Sequence, residues 1–566
     1  MKLGLVLLAA LALAGCVKPA ARPVAPAAPV ELQILALNDF HGNLEPPSSP
    51  VERVEADGAK HKESLGGAAY VAATLAQLRI GQAHSLTVAA GDMIGASPLT
   101  SAYFLDEPTI MALNAMGLEY AAVGNHEFDK GSAELLRMQN GGCEKHTSRT
   151  PCQVDRFGGA RFRFLAANVL RQDGSTLFPG TAIKDLGPLQ VGIIGMTLQD
   201  TATLVTPSGV AGLRFADEAA TANALAPQLK AAGADLIILA LHQGARTTGT
   251  YNVTGCPGLS GDILPILDTL DPAISVVVSG HTHEAYACER PARDGSKRLL
   301  TSAGRYGYFV TDIRLSVDPR SGQWEAVRAS NVPVDRTVLQ DSEVQALVDR
   351  YAAAAAPAAR RVIGRLAGPA LQGEYDDETQ AANLVADAQL AFSRDPVPGG
   401  AQIAFMNSSG VRSDLVPDAE GNIRYGQIFE VQPFGNGLVV MTLTGEQIER
   451  LLEQQFEDQS YPAGARPDLL IPSEGLRFDY DLSRPKGQRI VRVTFQDRPL
   501  DPAASYRITV NNFLASGGDG FTVLREGRNI VDAGPDLDAL EAWLKPGRAV
   551  PKLGRTRNVT PRLNAN

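Results

Sequence analysis

Between residue 31 and about residue 335, short apolar runs recur, each followed by polar residues and then by a stretch of helical length. The runs occupy residues 32–37, 86–90, 120–123, 191–196, 236–241 and 274–278. They are short, and several are dense in Val and Ile, as strands buried on both faces are. Segments such as 67–80, rich in Ala, have the length and composition of helices. The alternation predicts a layered α/β domain.

Residues 341–356 show a different pattern. Val344, Leu347, Val348 and Tyr351 fall at i, i+3, i+4 and i+7, the spacing of one helix face. Ser342 and Gln345 have the spacing of a capping box, and an Ala run followed by Pro357 marks the expected end. This helix is the expected connection to a second mixed α/β domain. The boundaries expected from the pattern are a leader at 1–16, a flexible Ala- and Pro-rich tether at 17–30, a first domain at 31–338, a linker helix at 339–360, a second domain at 361–555 and a tail at 556–566. No internal repeat is evident.

Composition adds limits. A chain of 566 residues is too long for one compact core. The 44% hydrophobic and 20% charged content is that of a globular protein. The net charge is −10 and no long basic run occurs, which argues against a nucleic-acid polymer as partner.

The leader carries its own signal. Lys2 precedes an apolar stretch over residues 3–14, too short to span a bilayer. It ends in Leu13-Ala14-Gly15-Cys16, which resembles a bacterial lipobox. The resemblance implies export and lipidation of Cys16. Val17 is not the Asp that retains many such proteins at the inner membrane, so the expected location is the outer membrane, facing the periplasm. Without Cys16, four cysteines remain, an even number suited to an oxidising compartment. Three pairings are possible, and proximity favours Cys143–Cys152 and Cys256–Cys288.

The chemistry stands where the apolar runs end. Leu37 is followed by Asn38-Asp39-Phe40-His41, Ala90 by Gly91-Asp92, and Val123 by Gly124-Asn125-His126-Glu127. Leu241 is followed by His242, and Val278 by Ser279-Gly280-His281-Thr282-His283. Ligands of α/β sheets bind at the carboxyl ends of strands. Of eight histidines in the chain, five (His41, His126, His242, His281 and His283) lie in these segments, beside Asp39, Asp92 and Asn125. One such histidine is ordinary, but five at strand ends point to one site distributed along the chain.

In order and separation these motifs resemble those of the calcineurin-like metallophosphoesterases. Asn38 to Gly42 and Gly124 to Asp129 resemble the 5′-nucleotidase family in particular. The resemblance implies two divalent metal ions. Asp39, His41 and His283 would hold one, Asn125, His242 and His281 the other, with Asp92 bridging. Mixed nitrogen and oxygen ligands suit Zn²⁺, Mn²⁺ or Co²⁺ better than Ca²⁺. Two metals roughly 3.5–4 Å apart generate hydroxide near neutral pH and neutralise phosphoryl oxygens. His126 would then be a catalyst rather than a ligand, oriented by Asp129. Many nucleotidases of the family carry Gln or Asn at the position of His283, so ligation there is the least secured by the resemblance.

The resemblance continues into the second half. Asn383 to Asp387 resembles a helix motif of the family and is read as structural. Asn407-Ser408-Ser409-Gly410-Val411-Arg412 resembles its N-G-G-G-[IV]-R loop. The stretches around Phe434 and from Asn512 to Phe521 resemble those that supply two base-stacking aromatics, here Phe434 and Phe513, and a ribose-binding acid, here Asp519. An Arg such as Arg412 grips phosphate, and Asn407 lies in the same loop. The chain departs from the family at Tyr375-Asp376-Asp377-Glu378, where phosphate-binding arginines are usual.

The expected architecture is therefore α/β, a four-layer metallophosphoesterase domain and a mixed α/β substrate-binding domain joined by a helix. The expected activity is hydrolysis of nucleotide phosphate esters, with nucleotide and membrane as the expected partners. Hydrolysis of 2′,3′-cyclic nucleotides or UDP-sugars on the same scaffold is the alternative. A non-catalytic nucleotide-binding surface lipoprotein would show broken metal ligands, and none is visibly missing.

Overall fold

The computed structural model describes residues 28–561 except 48–49, 55–59, 148, 253–254, 338, 374–377, 396–398 and 457–468. The leader with Cys16, most of the tether and the departure at 375–377 lie outside the described residues.

Every apolar run of the first half is a strand. Two six-stranded sheets result. In the first the order is Trp324–Pro333, Phe309–Val317, Val30–Leu37, Ser85–Ala90, Tyr120–Ala122 and Arg163–Leu165. In the second it is Ala285–Pro291, Lys297–Ala303, Ile274–Ser279, Leu236–His242, Gln190–Thr197 and Thr181–Asp185. The central strands of each are parallel, so their carboxyl ends share one edge.

The two-residue repeat of strands divides their side chains between two cores. Leu32, Ile34 and Ala36 join Val191, Ile193, Leu236, Ile238, Val276 and Val278 in a layer between the sheets. Leu35 and Leu37 point the other way, into a core shared with helices Ala68–Arg79, Glu107–Ala115 and Ser132–Asn140. Ile237, Leu239 and Leu241 face helices Glu218–Ala231 and Ile263–Thr269 in the same manner. Helix, sheet, sheet and helix make the four layers.

The connecting helix spans Ser342–Ala359 and differs from expectation at both ends. Its N-cap is Asp341, whose carboxylate accepts a hydrogen bond from the Val344 amide at 2.9 Å, and Ser342 is already inside the helix. Pro357 lies within the last turn rather than ending it. Its ring prevents only one amide bond there, and the backbone amide of Arg360 still bonds to Ala356. Val344, Leu347, Val348 and Tyr351 are buried in the core of the first domain, so the helix is docked rather than free-standing.

The second domain is built on a five-stranded sheet ordered Leu470–Pro472, Ile403–Asn407, Ser505–Asn511, Gly437–Thr444 and Arg528–Pro535. A four-stranded sheet lies beside it. One of its edges is Thr556–Asn558, parallel to Phe478–Tyr480, so structure continues past the expected boundary at 555. Backbone pairing recruits these three residues, and no apolar run marks them in the sequence. Leu99 and Ala102 of the first domain are buried in the hydrophobic core of the second, which makes the domain contact apolar. Cys143 is bonded to Cys152 and Cys256 to Cys288. Among the described residues, no helix is long and apolar enough to cross a membrane.

Candidate metal centre and interdomain cleft

The strand ends converge. Asp39, His41 and His283 bring one ligand atom each to a common point, and so do Asp92, His242 and His281. The Asp92 carboxylate lies between the two groups, with Oδ2 2.9 Å from His242 Nε2 and 3.7 Å from His41 Nε2. The amide oxygen of Asn125 is 3.1 Å from His242 Nε2. All seven residues named from the sequence as ligands thus meet in one place.

Backbone geometry aims them. Asp39, His41, Asp92, His281 and His283 all have positive φ, between 46° and 71°. Side chains other than Gly adopt this region rarely, and such strain persists where the surroundings over-determine it. Gly124 has no room for a side chain, since a Cβ there would stand 2.1 Å from an Asp92 oxygen.

Hydrogen bonds choose which imidazole nitrogen faces inward. His41 donates from Nδ1 to the Gly95 carbonyl at 2.9 Å, and His242 from Nδ1 to the Ala90 carbonyl at 2.7 Å. In both, Nε2 is left for the cluster, as in many histidine ligands of metals. His41 Nε2 and His283 Nε2 stand 3.2 Å apart, and Asp39 Oδ1 is 3.5 Å from the latter. These nitrogen and oxygen atoms crowd one small space at the strand ends, and the donor set fits a divalent transition metal.

Protonation tells the same story. Burial pushes His41 and His281 down to about 3, the neutral form a metal requires. Burial, together with the neighbouring Asp92 charge and against the pull of His242, lifts Asp39 to about 7. Burial opposes a proton on His242, but Asp92, Asp39 and Glu127 outweigh it and raise that group to about 9. The ion-free cluster thus keeps a proton where a cation fits.

His126 stands beside this centre. Its backbone amide donates to Asp92 Oδ1 at 2.9 Å, and its Nδ1 donates to Asp129 at 3.0 Å. Asp129 is fixed in turn by the Ala96 amide at 3.1 Å. Burial works against the imidazolium, yet Asp129 and Asp92 outweigh it and raise its proton affinity.

The second domain covers the site. A cavity of about 740 Å³ is lined by residues of both domains, among them His126, His281, Arg412, Phe434, Phe513 and Asp519. The Phe434 ring stacks on His126 with centroids 5.7 Å apart and 22° between planes, and the Arg412 guanidinium lies 5.5 Å from that ring's centre. Asn407 donates to Asp519 at 2.8 Å and so holds its carboxylate in place. Phe513 lies on the short helix Asn512–Ala515, whose first turn Asn511 caps. Its ring passes so close to Gly518 that a Cβ there would be 2.5 Å away. Asn383 is structural: its amide donates to Glu378 at 2.7 Å and to the Lys552 carbonyl at 3.1 Å.

Four residues of the site were not singled out from the sequence. The Asn38 amide donates to Asp39 Oδ2 and to the Gly304 carbonyl, each at 2.7 Å. The Glu127 carboxylate accepts from the amides of Asp92 at 2.9 Å, Met93 at 2.8 Å and Gly124 at 2.6 Å, tying two ligand loops together. Both stand inside the quoted motifs. Arg246 and Arg305 line the same cavity. They too follow strands, Leu236–His242 and Lys297–Ala303, so the strand-end rule could have found them.

Comparison with known proteins agrees with this geometry. Residues 32–285 match the profile of the calcineurin-like phosphoesterase family, and residues 359–526 that of the 5′-nucleotidase, C-terminal domain. The endonuclease YhcR of Bacillus subtilis (strain 168) is 29% identical over 93% of this chain, and the chain spans 40% of that protein's length. A 5′-nucleotidase of Diplobatis ommata is 24% identical over 93% of this chain and 89% of that protein. The crystal structure of a 5′-nucleotidase precursor from Thermus thermophilus superposes with a TM-score of 0.75 at 28% identity, covering 94% of this chain and all of that one.

Proposed function

Since the chain belongs to the 5′-nucleotidase family of calcineurin-like phosphoesterases and carries both of that family's domains, we propose that it hydrolyses phosphate esters of nucleotides with the help of two divalent metal ions. The observation that carries this reading is the pair of three-residue clusters, Asp39 with His41 and His283 and Asp92 with His242 and His281, set side by side with Asp92 3.7 Å from His41 and opening into one cleft with Phe434, Phe513 and Asp519.

Asp39, His41 and His283 are the proposed ligands of one ion, and Asn125, His242 and His281 of the other, with Asp92 serving both. Bound there, the ions supply positive charge to the phosphoryl oxygens and lower the pKa of water. The chain's own groups do the rest. Arg412 adds positive charge at the cleft. His126 carries a proton on an imidazole that Asp129 orients, so it serves the departing ester oxygen as general acid. Asp519 accepts hydrogen bonds from ribose hydroxyls. Phe434 and Phe513 stack on the base, each stack contributing about 1–3 kcal/mol.

We place the protein outside the cytoplasm, anchored by a lipid on Cys16. The leader supports this, and two disulfides suit an oxidising compartment. Mass spectrometry finding an unmodified Cys16 at the start of the mature chain would refute the anchor.

The activity is tested by measuring phosphate release from mononucleotides. Chelation should abolish it, and Zn²⁺, Mn²⁺ or Co²⁺ should restore it. A fully active preparation free of divalent metal would sink the reading.

A further inference from the structure

Asn511 belongs to the lining of the interdomain cleft, yet it is only 1% exposed. A side chain so covered acts on a ligand through its neighbours. It ends the strand Ser505–Asn511, and Asn407 ends the neighbouring parallel strand Ile403–Asn407. The Asn511 side-chain oxygen accepts the Leu514 amide at 2.8 Å and so caps the short helix that bears Phe513. Its side-chain nitrogen donates to Asn407 Oδ1 at 3.2 Å, and Asn407 Nδ2 donates in turn to Asp519 Oδ2 at 2.8 Å. One buried amide is thus bonded toward the aromatic half of the clamp and toward its acid.

The sense of these bonds is fixed from both ends. A backbone amide only donates, so the atom of Asn511 that meets Leu514 is its oxygen, and its nitrogen must face Asn407. An ionised carboxylate only accepts, so Asn407 turns its nitrogen to Asp519 and its oxygen to Asn511. Flipping either amide would set like groups against each other at both of its ends. The Asn407 amide also has little room to swing, since it lies against Gly410, where a Cβ would stand 2.7 Å from its oxygen and 3.0 Å from its nitrogen. Competing partners are weak. Asn511 Nδ2 approaches Met406 Sδ at 3.8 Å, and Gln389 Nε2 reaches the same thioether at 3.4 Å. The Ser409 hydroxyl adds a longer bond to Asp519 Oδ2 at 3.2 Å.

We propose that Asn511 is a positioning residue that sets base and ribose recognition together. Its oxygen fixes the turn under Phe513, and its nitrogen, through Asn407, fixes the carboxylate of Asp519. The proposal rests on the reading of Phe513 as a base-stacking ring and of Asp519 as the acceptor of ribose hydroxyls. A carboxylate already held in place loses less freedom when a ligand arrives, so its hydrogen bonds yield more affinity. Substitution separates the two roles. Asn511→Ser keeps a capping oxygen and removes the donor to Asn407. Asn511→Asp also keeps a capping oxygen, and it sets an acceptor against the oxygen of Asn407. Asn511→Ala removes cap and donor alike.

The test uses the full chain loaded with Mn²⁺ and three substrates: adenosine 5′-monophosphate, its 2′,3′-dideoxy form, which has no ribose hydroxyls, and ribose 5-phosphate, which has no base. In the wild type KM should be lowest for the whole nucleotide. Asn511→Ser and Asn511→Asp should each raise KM for adenosine 5′-monophosphate about five- to tenfold, toward that of the dideoxy form, whose own KM should hardly move. Either variant suffices if the other fails to fold, as read from its melting temperature. Asn511→Ala should also raise KM for the dideoxy form, about threefold or more, through the loosened turn under Phe513. Independently of turnover, calorimetry of adenosine and 2′,3′-dideoxyadenosine on the metal-free chain should give the same split in Kd. A residue that only supports the fold would lower the melting temperature and shift all substrates alike. That result, or a Ser or Asp variant that keeps the wild-type preference for ribose hydroxyls, would overturn the positioning role and leave the hydrolase reading standing. A wild type that turns over both adenine nucleotides with equal KM would remove this role together with that of Asp519. Turnover of none of the three substrates with any metal would remove the hydrolase reading, and the split in Kd would still decide the role of Asn511.

Discussion

Asp92 and His126 are joined by a hydrogen bond yet should fail differently when replaced. His126→Ala removes a proton carrier and leaves the ligand set whole. It should retain both metals while kcat falls by about 10²–10⁴-fold. Asp92→Ala removes the carboxylate between both clusters and should lower metal occupancy itself, as read by elemental analysis after gel filtration. The opposite pattern would reverse the role assignment. His242 sets the pH dependence of loading. Its ion-free pKa is raised to about 9, and a metal needs the neutral ring. Between that pH and about 7, binding must expel this proton, so apparent affinity should fall about tenfold for each unit of acidification, and more steeply below about 7, where Asp39 is protonated as well. The check is proton release measured by calorimetry in buffers of different ionisation enthalpy. Release of no proton at pH 7 would mean that His242 is not a ligand.

At the scale of elements, the proposed clamp has the turn bearing Phe434 and the short helix bearing Phe513 meeting substrate only through the base. Phe434→Ala or Phe513→Ala should raise KM for nucleotides roughly 5- to 150-fold, the equivalent of about 1–3 kcal/mol of stacking. Hydrolysis of bis(p-nitrophenyl) phosphate, which offers no nucleoside, should hardly change. Equal losses on both substrates would mark the rings as packing residues. The Cys256–Cys288 bond closes a loop with a sequence separation of 32. Replacing both cysteines with Ala should cost about 3–4 kcal/mol on chain entropy alone, measurable by denaturant titration. The strands and their ligands were legible in the sequence because apolar runs and the polar residues that end them are both local patterns. The docking of Ser342–Ala359, the short helix under Phe513 and the strand Thr556–Asn558 were not. Each depends on a partner distant in sequence or on a single cap, such as Asn511 for the helix turn. Arg246 and Arg305 follow strand ends as the ligands do, but they belong to none of the motifs, so only the strand-end rule points to them. Glu127 and Asn38 stand inside the motifs, but the backbone groups of other loops that they bind are far away in the chain and leave no local pattern.

Across the whole molecule, the domains touch through Leu99 and Ala102 and through Phe434 over His126. With the linker helix docked on the first domain, opening of the cleft is expected to pivot past its end, near Arg360. Small-angle scattering should then report a larger particle for a variant such as Leu99→Ser, together with a raised KM for nucleotides. An unchanged particle size would show that the apolar contact does not hold the cleft closed. Metal should stabilise the first domain by linkage, about 2.7 kcal/mol at a hundredfold excess over Kd, so chelation should lower its melting temperature. The proposed ligands are drawn from strand ends as far apart in the chain as Asp39 and His283, on two different sheets. No shorter fragment holds a complete set, and neither sheet does alone. Hydrolytic power is therefore switched on only by the finished fold. A chain threaded unfolded through a membrane would be inert in transit among the nucleotides of the cell that made it, and would become an enzyme only after folding on the far side.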